Sequence, residues 1–314
     1  MTSPHPHTPK KELIDMPTRR PPLRYDVFVA PEKPFTTPPP RVGDPPAWDP
    51  TTATLIFGAR DAVLVDSLMT VREATALADW VALHDRRLTM IYITHGHGDH
   101  HLGLSVLLAR FPPARAVATA GTVALMRTLT APDTLNPEAL NNDRARFPGQ
   151  IADTIALAEP LGADRFELEG RPLQVIETGH TDTVETTALY VPDLDLICSG
   201  DVAYNHCHMY VGPTTVDIRA DWIAALDKLA ALNPTAVVTG HKDPTQGNPP
   251  SVLAESRGYL DYYGQLREAA LPDRELFDAM VSRYPDWVSR QEFLLLGIPG
   301  PPPDHGQEAL HPGP

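Results

Sequence analysis

The segment ITHGHGDHHLG, residues 93–103, concentrates four histidines and one aspartate within seven positions. These residues are His95, His97, Asp99, His100 and His101. They directly follow LTMIYIT (88–94), an apolar run that is typical of a buried strand. Neutral imidazole and carboxylate groups suit zinc, iron or manganese, and Gly96 and Gly98 let the backbone turn tightly. The pattern predicts a metal site in the loop after this strand.

Three later predicted strands each end in a glycine followed by a residue of the same metal-binding types. The pairs are Gly179–His180, Gly200–Asp201 and Gly240–His241. Each pair alone is typical of an ordinary turn. Because loops at strand ends of one scaffold commonly carry function, we expect these three residues to lie close to the cluster at 95–100.

Composition restricts the class of protein. The 314 residues carry a formal net charge of −14, and 42% of them are hydrophobic, which suffices for a sizeable core. The acidic charge disfavours a nucleic-acid partner because phosphates would be repelled. No apolar run reaches the roughly 18 residues of a spanning helix, and the two cysteines, Cys198 and Cys207, fit a reducing compartment. We therefore expect a cytoplasmic protein with a small-molecule substrate and no membrane partner.

Strand-like and helix-like patterns alternate through the middle of the chain, including a helix predicted over 100–111. They predict an α/β fold in which helices cover both outer faces of a pair of sheets. One domain is expected over 23–296, with a helical insertion at about 121–160 and C-terminal helices at about 251–290. The proline-rich segments 1–22 and 297–314 are expected to be disordered or loosely attached, with the N-terminal arm packing across the partner of a homodimer.

The sequence resembles the metallo-β-lactamase superfamily over about residues 50–245. The resemblance is carried by HGHGDH (95–100), followed in order by His180, Asp201 and His241. The resemblance implies an αββα sandwich that binds two divalent metal ions, with zinc expected first and iron, manganese or cobalt as alternatives. By position it implies His95, His97 and His180 for the first ion, Asp99, His100 and His241 for the second, and Asp201 as the bridge. His101 stands outside this scheme and is expected to cap the helix start or face solvent. Asp66, which ends AVLVD, is expected to orient a ligand histidine.

The resemblance also implies a chemistry. Two such ions share a hydroxide that attacks a carbonyl-type bond. The motif is closest to the N-acyl homoserine lactonase-like lactone hydrolases, because SGDVAYN places Tyr204 three residues after Asp201. This implies a dinuclear hydrolase that opens a cyclic ester, or a related cyclic carbamate or amide. Tyr204 is expected to hydrogen-bond the substrate carbonyl, and Asp99 to shuttle a proton besides binding metal.

Other expectations concern the substrate pocket. His208, more than its neighbour His206, is expected to contact substrate, and the pocket is expected to be mainly apolar. Its predicted lining includes Phe147, Met209 and Tyr210.

Alternatives within the superfamily remain open at the level of sequence. Zinc β-lactamases usually lack a bridging carboxylate where Asp201 stands, so that activity is disfavoured. A glyoxalase II-like thioesterase typically has histidine where this chain has Gly96. A persulfide dioxygenase, an oxidoreductase with one iron, shares the motif. A metal-binding interaction protein without catalysis is the remaining interpretation.

Overall fold

The computed structural model describes residues 21–35, 47–130, 138–289 and 294. Residues 1–20 and 297–314, which make up nearly all of the two predicted terminal segments, lie outside the described residues, so their predicted looseness stays a prediction. Within the described ranges, no helix is long and apolar enough to cross a membrane.

The described strands and helices alternate much as the sequence predicts. The strands are β1 (Arg24–Ala30), β2 (Lys33–Pro34), β3 (Ala47–Trp48), β4 (Thr51–Phe57), β5 (Asp61–Val65), β6 (Arg87–Tyr92), β7 (Arg115–Ala118), β8 (Glu159–Pro160), β9 (Arg165–Leu168), β10 (Arg171–Gly179), β11 (Thr186–Val191), β12 (Leu196–Asn205) and β13 (Ala236–Lys242). The helices are α1 (Val71–Leu83), α2 (Gly98–His101), α3 (Leu104–Arg110), α4 (Ala120–Thr130), α5 (Glu138–Arg146), α6 (Val216–Ala230), α7 (Val252–Glu268) and α8 (Asp273–Arg283).

Eleven of the described strands form one curled sheet, in the order β8-β7-β6-β5-β4-β13-β12-β11-β10-β9, with β1 beside β4. One half of this sheet runs from β8 to β4 and includes β1, and the other half runs from β13 to β9. The two halves meet where β13 pairs with β4 through His241 and Thr51. Because one of these residues is a predicted metal ligand, the junction of the two halves lies at the candidate site.

The sheet curls into a sandwich with three apolar layers. Along β5, Ala62 and Leu64 belong to one buried cluster, whereas Val63 and Val65 belong to another. Successive side chains of a strand point to opposite faces, so this strand separates two cores. The cluster with Val63 includes residues of β10, β11 and β12 and therefore lies between the two halves of the sheet. This arrangement confirms the predicted α/β fold.

Helices cover the outer faces. The cluster that contains Leu64 also contains residues of α1 and α3, and a third cluster joins β12 to α6, α7 and α8. Helix α1 begins at a capping box, in which the Thr70 side chain accepts from Glu73 N–H and the Glu73 carboxylate accepts from Thr70 N–H.

The prediction of a single helix over 100–111 is wrong. The chain forms two short helices, α2 and α3, and the interruption lies at Gly103. A Cβ at Gly103 would lie 2.0 Å from the Ser67 carbonyl oxygen. The two backbone segments therefore cross in close contact, which holds the loop after β5 against the histidine-rich segment. The predicted insertion at 121–160 begins as two helices, α4 and α5, and residues 131–137 between them lie outside the described residues.

Candidate metal centre

The loops and strand ends that carry polar residues converge at one edge of the sandwich. His95 to His101 follow β6, Asp182 follows β10, Asp201 lies within β12, and His241 lies within β13. Their ligand atoms form two adjacent groups that could hold metal ions. The expectation that separate strand ends deliver their side chains to a common edge is confirmed for Asp201 and His241, which lie beside residues of the segment 95–100.

The first cluster contains His95, His97, Asp182 and Asp201, whose ligand atoms lie within 4.8 Å of one another. His97 Nδ1 lies 2.9 Å from Asp182 Oδ2. His95 Nε2 lies 3.7 Å from Asp201 Oδ2 and 3.9 Å from Asp182 Oδ2. Two imidazoles and two carboxylates therefore face a common centre.

The second cluster contains Asp99, His100 and His241. Asp99 Oδ2 lies 3.2 Å from His241 Nε2 and 3.7 Å from His100 Nε2. Asp201 also approaches this cluster, since its Oδ1 lies 3.2 Å from His100 Nε2 and its Oδ2 lies 3.3 Å from His241 Nε2. Asp201 is thus within reach of both clusters, which is the position that the resemblance implies for a bridging ligand.

The structure places Asp182, and not the predicted His180, in the first cluster. His180 is half-buried and belongs to neither cluster of described residues. The Asp182 side chain has no exposed surface, and Thr181 Oγ1 donates a hydrogen bond of 2.8 Å to its Oδ1. Sequence reasoning missed Asp182, although it lies two residues after His180 in TGHTDT. A metal-binding role for His180 stays a prediction.

A close backbone approach shapes the floor of the centre. A Cβ at Gly240 would lie 2.0 Å from Asp201 Oδ1 and 2.9 Å from His100 Cε1. Any larger residue before His241 would therefore displace Asp201 of β12 and His100 of α2, which explains why a glycine precedes the histidine here.

Three histidines are oriented by hydrogen bonds from the ring nitrogen that faces away from the centre. His100 Nδ1 donates to Asp66 Oδ2 at 2.9 Å, and His241 Nδ1 donates to the Pro50 carbonyl at 3.2 Å. His95 Nδ1 lies 3.0 Å from Thr94 Oγ1. Such contacts leave the Nε2 lone pair of a neutral imidazole for a metal. The predicted contact between Asp66 and a ligand histidine is confirmed.

Several ligand atoms are buried without satisfying their hydrogen-bonding capacity. His95 Nε2, His100 Nε2, Asp182 Oδ2 and Asp201 Oδ1 make no hydrogen bond within the described part of the chain. Buried polar atoms normally have partners, and divalent cations bound at the two clusters would supply partners for these four atoms. The donor set of imidazoles and carboxylates is one that zinc, iron or manganese accepts. The residues present therefore fit a metal pair.

The electrostatics of the centre also favour bound cations. Burial lowers the pKa of His241, but the charge of Asp201, together with hydrogen bonds to Asp201 and Asp99, raises this pKa to about 10. For Asp201, burial is outweighed by the charges of His241 and His100, which hold its pKa well below the ordinary value. Burial lowers the pKa of His95 to about 4. Carboxylates held ionised in a buried site need positive charge nearby, which histidine protons or metal ions supply.

Two predicted catalytic residues lie behind the ligands. Tyr204 is fully buried, its hydroxyl donates to Asp201 Oδ2 at 3.1 Å, and its ring stacks on His241 at 5.5 Å. His208 is fully buried, with Nδ1 3.0 Å from the Tyr259 hydroxyl. Neither residue is among the described residues that line the cavity. The geometry gives Tyr204 a contact that positions Asp201, and substrate contacts by Tyr204 and His208 stay predictions.

The expectation that His101 faces solvent is wrong. Its side chain is fully buried, and Nδ1 donates to the His97 carbonyl at 2.9 Å. The short helix α2 is covered on this side by the body of the protein, so His101 supports the loop that carries His97.

A cavity of about 410 Å³ opens onto the candidate metal centre. Its lining includes His97, Asp99 and Asp201 from the clusters, Asn142, Asp143 and Arg146 from α5, and Trp48, Met69, Leu129 and Tyr210 from elsewhere. Tyr210 lines it as predicted. Phe147 and Met209 are fully buried and do not belong to the described lining, since Phe147 packs beneath it, 6.1 Å from the rings of both Phe35 and Trp48.

The family model of the metallo-beta-lactamase superfamily matches residues 46–241, more than half of the chain. The chain therefore belongs to the metallo-beta-lactamase superfamily, whose members are mostly metal-dependent hydrolases.

Solved structures show the same fold. A metallo-beta-lactamase family protein from Thermus thermophilus is 18% identical, with 84% of this chain and 90% of that chain covered and a TM-score of 0.60. VMB-1 is 16% identical, with 81% and 96% covered and a TM-score of 0.55. A metallo-beta-lactamase from Pontibacter korlensis is 18% identical, with 76% and 99% covered and a TM-score of 0.51. At these identities the similarity establishes the fold alone.

Proposed function

We propose that this protein is a dinuclear metal-dependent hydrolase that opens a cyclic ester, or a related cyclic carbamate or amide. One observation carries the proposal: Asp201 lies within 4 Å of histidines of both clusters and lines the cavity. A carboxylate in that position is suited to join two ions at the floor of a substrate pocket.

The described geometry favours particular ligands for each ion. His95, His97 and Asp182 would hold the first, Asp99, His100 and His241 would hold the second, and Asp201 would reach both. When bound, a pair of divalent ions, with zinc the first expectation, would activate water at neutral pH and polarise a carbonyl. Tyr204 would keep the Asp201 carboxylate in place through its hydroxyl.

Asp99 is the residue best placed to move a proton. It lines the cavity, and its Oδ2 accepts a hydrogen bond of 3.0 Å from Trp48 Nε1 while lying 3.2 Å from His241 Nε2. In this proposal its carboxylate takes a proton from the attacking water and passes it to the oxygen that leaves when the ring opens.

The cavity sets the kind of substrate. About 410 Å³ is at the small end of ligand pockets, and Met69, Leu129 and Tyr210 provide apolar surface beside the polar floor. A compact ring with a hydrolysable carbonyl fits this combination better than a polymer does.

Metal content and hydrolysis test the proposal together. Freshly purified protein, without added metal, is expected to contain close to two zinc or similar divalent ions per chain. It is then expected to release acid from γ-butyrolactone and larger lactones in a pH-stat, and the Asp201→Asn variant serves as the inactive control. Two bound ions without hydrolysis of lactones, cyclic carbamates, cyclic amides or thioesters would contradict the hydrolase assignment.

The composition of the first cluster favours one alternative, a persulfide dioxygenase. Two histidines together with carboxylates are a set that also holds a single iron for oxygen chemistry. One iron per chain, with oxygen consumed in the presence of glutathione persulfide and no lactone opened, would select this activity.

A further inference from the structure

Helix α5 of the insertion brings one arginine into the cavity. The Arg146 side chain is 16% exposed and lines the cavity together with Asp99. Its guanidinium carbon lies 5.5 Å from the centre of the Trp48 ring. The edge of the same indole donates to Asp99 Oδ2. Trp48 therefore contacts both the Arg146 guanidinium and Asp99 of the second cluster. The indole ring separates the arginine from the candidate metal centre.

Most of the hydrogen-bonding capacity of Arg146 is unused by the part of the chain that the structure describes. A guanidinium carries five N–H donors. Within the described residues, Arg146 makes one hydrogen bond, from Nη1 to Asp143 Oδ1 at 3.3 Å. Arg146 is also the only lysine or arginine among the described residues that line the cavity. A charged group with free donors at the wall of a substrate cavity is suited to bind an anion.

Asp143 limits which anion fits. Its Oδ2 packs against Gly98, between His97 and Asp99, and lies 2.8 Å from the place that a Cβ on Gly98 would occupy. The carboxylate is therefore held beside Arg146. A dianionic phosphate at Arg146 would be repelled by Asp143 and Asp99. A planar monoanion matches the fork of a guanidinium and accepts two parallel hydrogen bonds.

We propose that Arg146 binds a carboxylate of the substrate, so that the substrate class is a compact cyclic ester or amide that carries a carboxylate substituent. The ring-opening part of this statement rests on the proposed function. The carboxylate preference of the cavity does not, because it follows from Arg146, Trp48 and Asp143. The apolar indole face under the guanidinium strengthens the interaction by excluding water from one side of it.

Binding of matched ligands to the metal-loaded protein tests the preference without requiring turnover. Glutarate and adipate each carry two carboxylates, one for the metal centre and one for Arg146, whereas their monoamides end in a neutral group of similar shape. Calorimetry is expected to show that each diacid binds roughly 10- to 100-fold more tightly than its monoamide. In Arg146→Gln the diacid and monoamide are expected to bind equally, and Arg146→Lys is expected to retain part of the difference.

Arg144→Gln is the matched control, because it removes a charge from the same helix at an exposed position outside the described cavity lining. It is expected to keep the full preference. An unchanged preference in Arg146→Gln would overturn the proposal. So would the absence of a preference in the unsubstituted protein, a result that does not depend on whether any variant folds. A preserved preference in a protein that opens no lactone would instead remove the proposed hydrolase activity and leave the carboxylate site standing.

Discussion

The Asp66 carboxylate connects one histidine of each metal cluster. Its Oδ2 accepts a hydrogen bond of 2.9 Å from His100 Nδ1, and its Oδ1 accepts one of 2.9 Å from Thr94 N–H. Thr94 Oγ1 donates to the same carboxylate and lies 3.0 Å from His95 Nδ1. Asp66 itself has a φ of 63°, a backbone conformation that non-glycine residues rarely adopt. A single residue after β5 thus orients imidazoles of both clusters.

Replacing Asp66 with alanine is expected to weaken metal binding by about 10- to 100-fold, because His100 would lose the partner that fixes its orientation. Competition with a chromogenic chelator measures this. Asp26→Ala is the control, since the Asp26 side chain is 56% exposed and faces His84 far from the clusters in sequence. Equal affinities in Asp66→Ala and Asp26→Ala would contradict the orienting role.

Replacing Asp201 with asparagine is expected to lower metal content by about one ion per chain, because an amide oxygen bridges two cations poorly. Turnover should fall with it. Plasma mass spectrometry of the purified variant gives the stoichiometry. Two ions and unchanged activity in Asp201→Asn would show that the bridge is dispensable.

The roles of Asp182 and His180 can be separated with a pair of variants. Asp182→Asn is expected to weaken binding of the first ion by about 10-fold or more, because it removes a buried carboxylate from the cluster. His180→Asn is expected to change metal content little, because His180 lies outside both clusters. The opposite result, loss of the ion in His180→Asn alone, would restore the ligand set implied by the sequence.

The metal-free protein is expected to lose stability as the pH rises from neutral. The pKa of His241 is raised from 6.5 to about 10 in the fold, so its protonated form stabilises the folded state fully below pH 6.5. That contribution is lost as the pH rises through about 10. Urea unfolding at a series of pH values, with chelator present, measures the slope. Metal-free His241→Gln should show a shallower slope, and identical slopes would contradict the assignment.

A buried ion pair ties the N-terminal segment to the body. Lys33 Nζ lies 2.7 Å from Glu73 Oε1, and the two side chains are 6% and 8% exposed. Lys33→Met is expected to lower the free energy of unfolding by about 3 kcal/mol, because a buried carboxylate is left uncompensated. Chemical denaturation measures the change. Arg115→Met, which breaks an exposed pair with Glu159, should cost less than about 1 kcal/mol, and equal losses would contradict the argument.

The sequence alone predicted the chemical type and order of most of the candidate ligands. The spacing in HGHGDH and the three glycine-preceded residues predicted a metal site at strand ends, and six of the seven predicted ligands lie in the two clusters. The positions of these six residues agree with the prediction because strand periodicity and turn chemistry are local properties. A residue directly after a buried strand must emerge at the edge of the sheet, whatever the rest of the chain does.

Only the tertiary structure decided which side chains face the centre from segments distant in the chain. His180 and Asp182 lie in one loop, and the hydrogen bond from Thr181 turns the aspartate inward. Arg146 reaches the cavity because α5 packs against Trp48, and these residues are about 100 positions apart. Such contacts depend on how whole elements pack against one another, and this packing leaves no periodic signal in the local sequence.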